Sequence, residues 1–178
     1  MEILKKLNFK RRLSIKKYEE IINFKTILDA RSKDFSNLLD NLSILTGDME
    51  WLKDTSLELH NKIKLAIEKN NIPLAKKALN KKFSFDLEIH SLEKRLHHLN
   101  DCKLKIQNLL KNLEDEYDNI IISYENKLTN QTLFYMKSFS KIEKDLRKEL
   151  LITEEIFTNR DYENKVIDIN EELKKYLN

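Results

Sequence analysis

From Tyr18 to Lys69 apolar residues recur at alternating spacings of three and four. The series reads Ile21, Phe24, Leu28, Arg31, Phe35, Leu38, Leu42, Leu45, Met49, Leu52, Ser56, Leu59, Ile63 and Ala66, and only Arg31 and Ser56 interrupt it. A helix brings residues three and four apart onto one face, so the pattern predicts one long helix with a heptad seam. A second series runs Phe85, Ile89, Leu92, Leu96, Leu99, Lys103, Ile106, Leu110, Leu113, Tyr117, Ile120 and Tyr124, interrupted only by Lys103. Each buried seam side chain contributes about 1.5–3 kcal/mol of transfer free energy, before chain entropy is subtracted, so neither seam is left in water.

The two series flank Glu68-Lys-Asn-Asn-Ile-Pro-Leu-Ala-Lys-Lys-Ala-Leu79, which holds the only proline, Pro73, behind Asn70 and Asn71. Asparagine both stops a helix and caps the next one, and proline is tolerated in a helix's first turn. Residues 18–128 are therefore expected to form a long antiparallel coiled-coil hairpin with its tip at 70–73. Counting back across the tip sets Arg31 opposite Glu114, Asp115 and Glu116, which predicts a register-fixing ion pair of Arg31 with Glu114 or its neighbours. Gly47 falls away from the seam, and Trp51 falls at its edge.

Around Leu128-Thr-Asn-Gln-Thr132 the heptads end and charge disappears. A third helix is expected with Met136, Phe139, Ile142, Leu146, Leu150 and Phe157 near one face. After a break at Thr158–Asp161, a fourth shows Tyr162, Val166, Ile169, Leu173 and Tyr176 at the same spacing. Both are too short to stand alone, so residues 129–178 are expected to pack on the hairpin or on a neighbouring copy. The fold class is all-α. One glycine, one proline and 35% charged residues agree with it, since turns are rich in Gly and Pro.

Charge adds a separate segment. Residues 1–17 carry Lys5, Lys6, Lys10, Arg11, Arg12, Lys16 and Lys17 against Glu2, a net +6, which leaves −3 on the rest of a chain whose formal charge is +3. A basic arm of this kind suits an anionic partner: lipid headgroups, nucleic acid, or an acidic face of another copy. Ile3, Leu4, Leu7 and Ile15 share a helical face that Arg11 intrudes on, which fits a short interfacial helix or a solvated tail. Nucleic acid is disfavoured, because no basic stripe continues beyond residue 17. No apolar run approaches the ~20 residues of a membrane span, and no secretory signal is expected. Cys102 is the single cysteine, so no internal disulfide forms and a reducing compartment fits.

Candidate chemistry is sparse. One glycine leaves no Gly-rich phosphate loop, and no Glu-x-x-His occurs. His98 and Cys102, like His97 and Asp101, stand four apart on a helix. That spacing can hold a metal, but both pairs are expected off the seam with no further ligands. No catalytic residue, metal or cofactor is expected.

Leu65-Ala66, then Leu74-Ala-Lys-Lys-Ala-Leu79, then Leu92-Glu93 followed by the seam to Leu113-Glu114, resemble the phage shock protein A/Vipp1 family, the bacterial branch of the ESCRT-III superfamily. Met136-x-x-Phe139-x-x-Ile142-Glu143 resembles that family's fourth helix, and Leu173 with Leu177 its fifth, so the likeness covers roughly residues 60–178. The resemblance implies a non-catalytic, cytoplasmic homo-oligomer or polymer, peripheral at the inner face of the cell membrane, which maintains or remodels that membrane under stress. It implies assembly through the tip residues Leu74, Ala75, Ala78 and Leu79. On this view Lys5, Lys6, Lys10, Arg11 and Arg12 lie at anionic headgroups with Ile3, Leu4 and Leu7 dipping in. The alternative is a coiled-coil adaptor that binds another helical protein and has no membrane role.

Overall fold

A computed structural model describes the secondary structure of residues 2–158 and 168–177 and the side-chain surroundings of residues 18–158 and 168–176. Four helices follow in order: α1 (Glu2–Glu68), α2 (Ile72–Glu125), α3 (Thr129–Thr158) and α4 (Ile169–Leu177). Among the described residues there is no strand. α1 and α2 pack together, as the paired seams require. α1 takes in the basic arm without a break. One compact unit comprises residues 1–38 and 102–153, the other residues 39–101 and 154–178.

In the first unit α1 and α2 run antiparallel, with the Tyr124 hydroxyl donating to Glu20 at 2.8 Å and the Lys25 ammonium 5.8 Å above the Tyr117 ring. α3 lies against both. Phe139 meets Phe24 edge to face at 4.8 Å, and Ser138 donates to Glu116 at 2.6 Å. The core holds Phe24, Leu28, Ile106, Leu113, Ile120, Phe139 and Leu146. Ser123 and Thr132 are buried with their hydroxyls 2.8 Å apart, and each also approaches a backbone carbonyl, Ser123 that of Ile120 and Thr132 that of Leu128. Two hydroxyl protons serve three contacts, so at any moment only two of the three are donated.

In the second unit the antiparallel pairing is marked by Lys53 with Glu93 at 2.7 Å and by Ser56 donating to Asp86. The reversal has the predicted chemistry. Asn70 takes φ 54°, the left-handed conformation that ends many helices, and two amides close the end: Asn70 N to the Ile67 carbonyl and Asn71 N to the Ala66 carbonyl, both 2.8 Å. The Asn71 side chain then accepts from the Leu74 amide at 3.2 Å and caps α2, with Pro73 in the first turn. The turn into α3 repeats this device at Lys127 (φ 57°), where Lys127 N reaches the Tyr124 carbonyl and Leu128 N the Ser123 carbonyl.

Every seam position of both series is buried or half-buried. One detail differs from expectation. Cys102, placed off the seam, is buried, and Lys103, placed on it, is only half-covered. The inward row passes from Leu99 through Cys102 to Ile106, the same three-then-four spacing shifted by one residue, because the thiol packs where an ammonium would have to shed its water. The apolar face of α3 is as predicted, with Phe139 and Leu146 buried and Met136, Ile142, Leu150 and Phe157 half-buried. In the fourth helix Ile169, Leu173 and Tyr176 face the second unit, and Tyr162 and Val166 lie outside the described residues.

Gly47 lies within α1, and a Cβ built on it meets nothing within 4 Å. Gly47→Ala should therefore raise unfolding stability by about 0.5–1 kcal/mol, seen as a higher urea midpoint at unchanged slope.

Candidate functional site

The tip residues named from the sequence divide into two groups. Ala75, Ala78 and Leu79 are buried in one cluster with Leu59, Ile63, Ala66 and Leu173, against which Ile72, Phe85, Ile169 and Tyr176 also pack. Leu74 is 52% exposed. The two alanines are small enough for α4 to approach α2 closely, and His60 Nδ1 sits 3.1 Å from the Tyr176 hydroxyl. Asp168 accepts from the amides of Asn170 and Glu171 and caps α4. Three of the four residues expected to serve assembly are thus buried within the chain, in a cluster to which α1, α2 and α4 all contribute.

The predicted pairing of Arg31 with Glu114 is not the one formed. Arg31 Nη1 donates to Asp34 one turn along its own helix, and Nε donates to Glu143 of α3 at 3.1 Å. Arg147 Nε reaches the same Glu143 oxygen at 2.7 Å, so two guanidinium groups share one carboxylate. Glu114 is exposed and bears electrostatically on Lys25, and Glu116 receives Ser138. Counting across the tip treats the hairpin as two-sided. Position 31 lies on the flank of α1 covered by α3, so its partner comes from a third helix that the count leaves out.

The residues expected at a membrane surface, Ile3, Leu4, Lys5, Lys6, Leu7, Lys10, Arg11 and Arg12, fall within α1, and their side chains lie outside the described residues. His97 and Asp101 stand 3.8 Å apart on an exposed face, while His98 is exposed and Cys102 is buried. Among the described residues no group of three His, Cys, Asp or Glu side chains is placed to hold a metal ion. No helix among them is long and apolar enough to cross a membrane.

Two features have no signal in the sequence pattern. Arg95 donates to the last carbonyls of α3, Nε to Ile156 at 3.2 Å and Nη2 to Phe157 at 2.8 Å, a cation at a helix C-terminus. Beside it lies a groove of about 490 Å³ whose apolar wall is Ile44, Leu45, Trp51, Phe85, Leu92 and Phe157, with Asp48 and Glu88 at its margins. Trp51 stands at the edge of the α1 seam. It is 61% exposed, and its ring is tilted 60° to that of Phe85 at 6.1 Å.

Among the described residues Tyr124 is the one strongly displaced titration. Burial, and then the hydrogen bond to Glu20, push its hydroxyl from 10.0 up to about 12. The folded state holds this proton more tightly than the unfolded chain. Its stabilising effect is complete below pH 10 and is lost as pH rises toward 12.

Comparison of the chain with protein-family models, with curated proteins and with solved structures finds no match.

Two outcomes are expected from this geometry. Arg31→Glu should destabilise by about 1–3 kcal/mol, more than Arg31→Leu, and Glu143→Arg should recover part of the loss in the double variant, measured by urea unfolding. In a spectrophotometric titration one of the six tyrosines should ionise late, near 12, and Tyr124→Phe should remove that step.

Proposed function

We propose that this chain is a non-catalytic, self-assembling peripheral membrane protein of the phage shock protein A type, acting at the cytoplasmic face of the cell membrane and maintaining or remodelling it under stress. The observation that carries the reading is the coincidence of a basic amphipathic sequence with helical conformation. The seven basic residues of 1–17, together with Ile3, Leu4 and Leu7, belong to α1, whose helix begins at Glu2. A basic helix with an apolar edge lies in a headgroup layer, where each Lys or Arg near an anionic surface contributes about 1 kcal/mol. The Leu-Ala-x-x-Ala-Leu pattern at residues 74–79 supports the same reading, because it stands at the start of α2 beside the hairpin reversal. By the resemblance, α3 and α4 would dock across neighbouring hairpins to build rods or rings.

One observation favours the second reading, a coiled-coil adaptor or spacer for another helical protein. Phe139 and Leu146 of α3 and Leu173 of α4 are buried within a single chain, so neither helix needs a neighbour to cover it.

Co-sedimentation with vesicles rich in phosphatidylglycerol separates the two. The membrane reading predicts binding that falls with salt and is abolished by deleting residues 1–17, together with large assemblies in negative-stain images taken with vesicles. Binding unchanged by the deletion or by salt, or a defined dimer with no vesicle affinity, would contradict it.

A further inference from the structure

The face of α1 beside the groove carries Asp40, Ile44, Asp48 and Trp51, spaced four, four and three, so the four share one side of the helix. Ile44 is 64% and Trp51 61% exposed, and Phe85 of α2 continues the apolar surface from Trp51. Some acids of this unit are paired, as in Lys53–Glu93, Lys62–Glu58 and Lys82–Asp86. Asp40, Asp48 and, at the groove's margin, Glu88 have no hydrogen-bond or ion-pair partner among the described residues. Between residues 39 and 58, α1 carries Asp40, Asp48, Glu50, Asp54 and Glu58 against one base, Lys53. Arg95, which lines the groove, is committed to the α3 carbonyls, and Lys81 stands over the Phe85 ring at 5.7 Å.

Free carboxylates flanking exposed indole and isoleucine side chains form an acidic amphipathic stripe. Its complement is a basic amphipathic helix, whose cations pair with the acids while its apolar edge covers Trp51 and Ile44. The sequence contains such a segment in residues 2–17, at net +6. The stripe and that segment belong to the same helix, which has no break between them, so a chain does not supply its own.

We propose that the acidic face formed by Asp40, Ile44, Asp48, Trp51 and Glu88 receives residues 2–17 of a second copy of this chain. The basic arm then has two anionic destinations, the neighbouring copy and the lipid headgroup, and a copy that engages one releases the other. The competition with lipid rests on the membrane reading. The copy-to-copy contact does not.

Trp51 is the only tryptophan and reports directly on this face. The test titrates a synthetic peptide of residues 1–17 into the full-length protein while Trp51 emission is followed. The expected result is a saturable blue shift that weakens with salt. In an Asp40→Lys/Asp48→Lys/Glu88→Lys variant that keeps its helical circular dichroism, peptide affinity should fall by about tenfold or more, since like charges then face each other. A peptide with its Lys and Arg replaced by Glu should restore binding to that variant. Phosphatidylglycerol vesicles should reverse the shift seen with wild-type peptide. No emission change at saturating peptide, or equal peptide affinity in the lysine variant, would overturn the proposal. Vesicle binding through the arm without a Trp51 response rejects this contact and leaves the membrane reading standing. A charge-dependent Trp51 response without vesicle binding does the reverse.

Discussion

The packing of α1 against α2 is the constraint on which the rest of the structure depends. Each helix carries an apolar row that would otherwise face water along its length, and the two rows cover one another only if the chain reverses between them. The reversal is made by two adjacent asparagines with different tasks. Asn70 accepts the left-handed conformation that lets two amides close the end of α1, and Asn71 turns its side chain to cap α2. A shift of one residue at this point would move each inward side chain around its helix by about 100° and expose much of the seam.

α3 and α4 depend on that hairpin. α3 presents Phe139 and Leu146 to the flank formed by α1 and α2 in the first unit, and the Arg31–Glu143 ion pair and the Ser138–Glu116 hydrogen bond add direction to the contact. α4 is nine residues long, below the length at which a helix persists alone, and folds against the small side chains of Ala75 and Ala78. The surfaces that the family resemblance assigns to assembly are therefore partly occupied within one chain. An assembly built through α3 or α4 would exchange these contacts between copies rather than add new ones. The open acidic face around Trp51 is covered by neither helix, which makes it a different kind of surface.

Much of this was legible in the sequence, and the reason is periodicity. A three-four repeat names the inward positions directly, so Ile63, Leu99, Ile106 and Leu113 could be placed in the core, and Pro73 behind two asparagines marked the turn. Contacts set by a third helix were not legible. Arg31 meets Glu143 across 112 residues of chain, and counting across the tip could not reveal that α3 covers that flank. The same holds for Arg95 on the end of α3, and for the groove, whose lining comes from three helices. Cys102 was misplaced because a thiol and a lysine stood at adjacent positions, and the periodic count alone did not weigh the cost of burying the ammonium.

The central claim is that the chain doubles back and zips α1 to α2 in one antiparallel register. Its most direct test is a distance between spin labels at Lys53→Cys and Glu93→Cys in a Cys102→Ser background, two exposed sites joined by an ion pair in the native chain. Helices packed 8–10 Å apart predict a label separation of roughly 10–20 Å. A separation near 60 Å, the span of forty residues of unbroken helix, would contradict the hairpin.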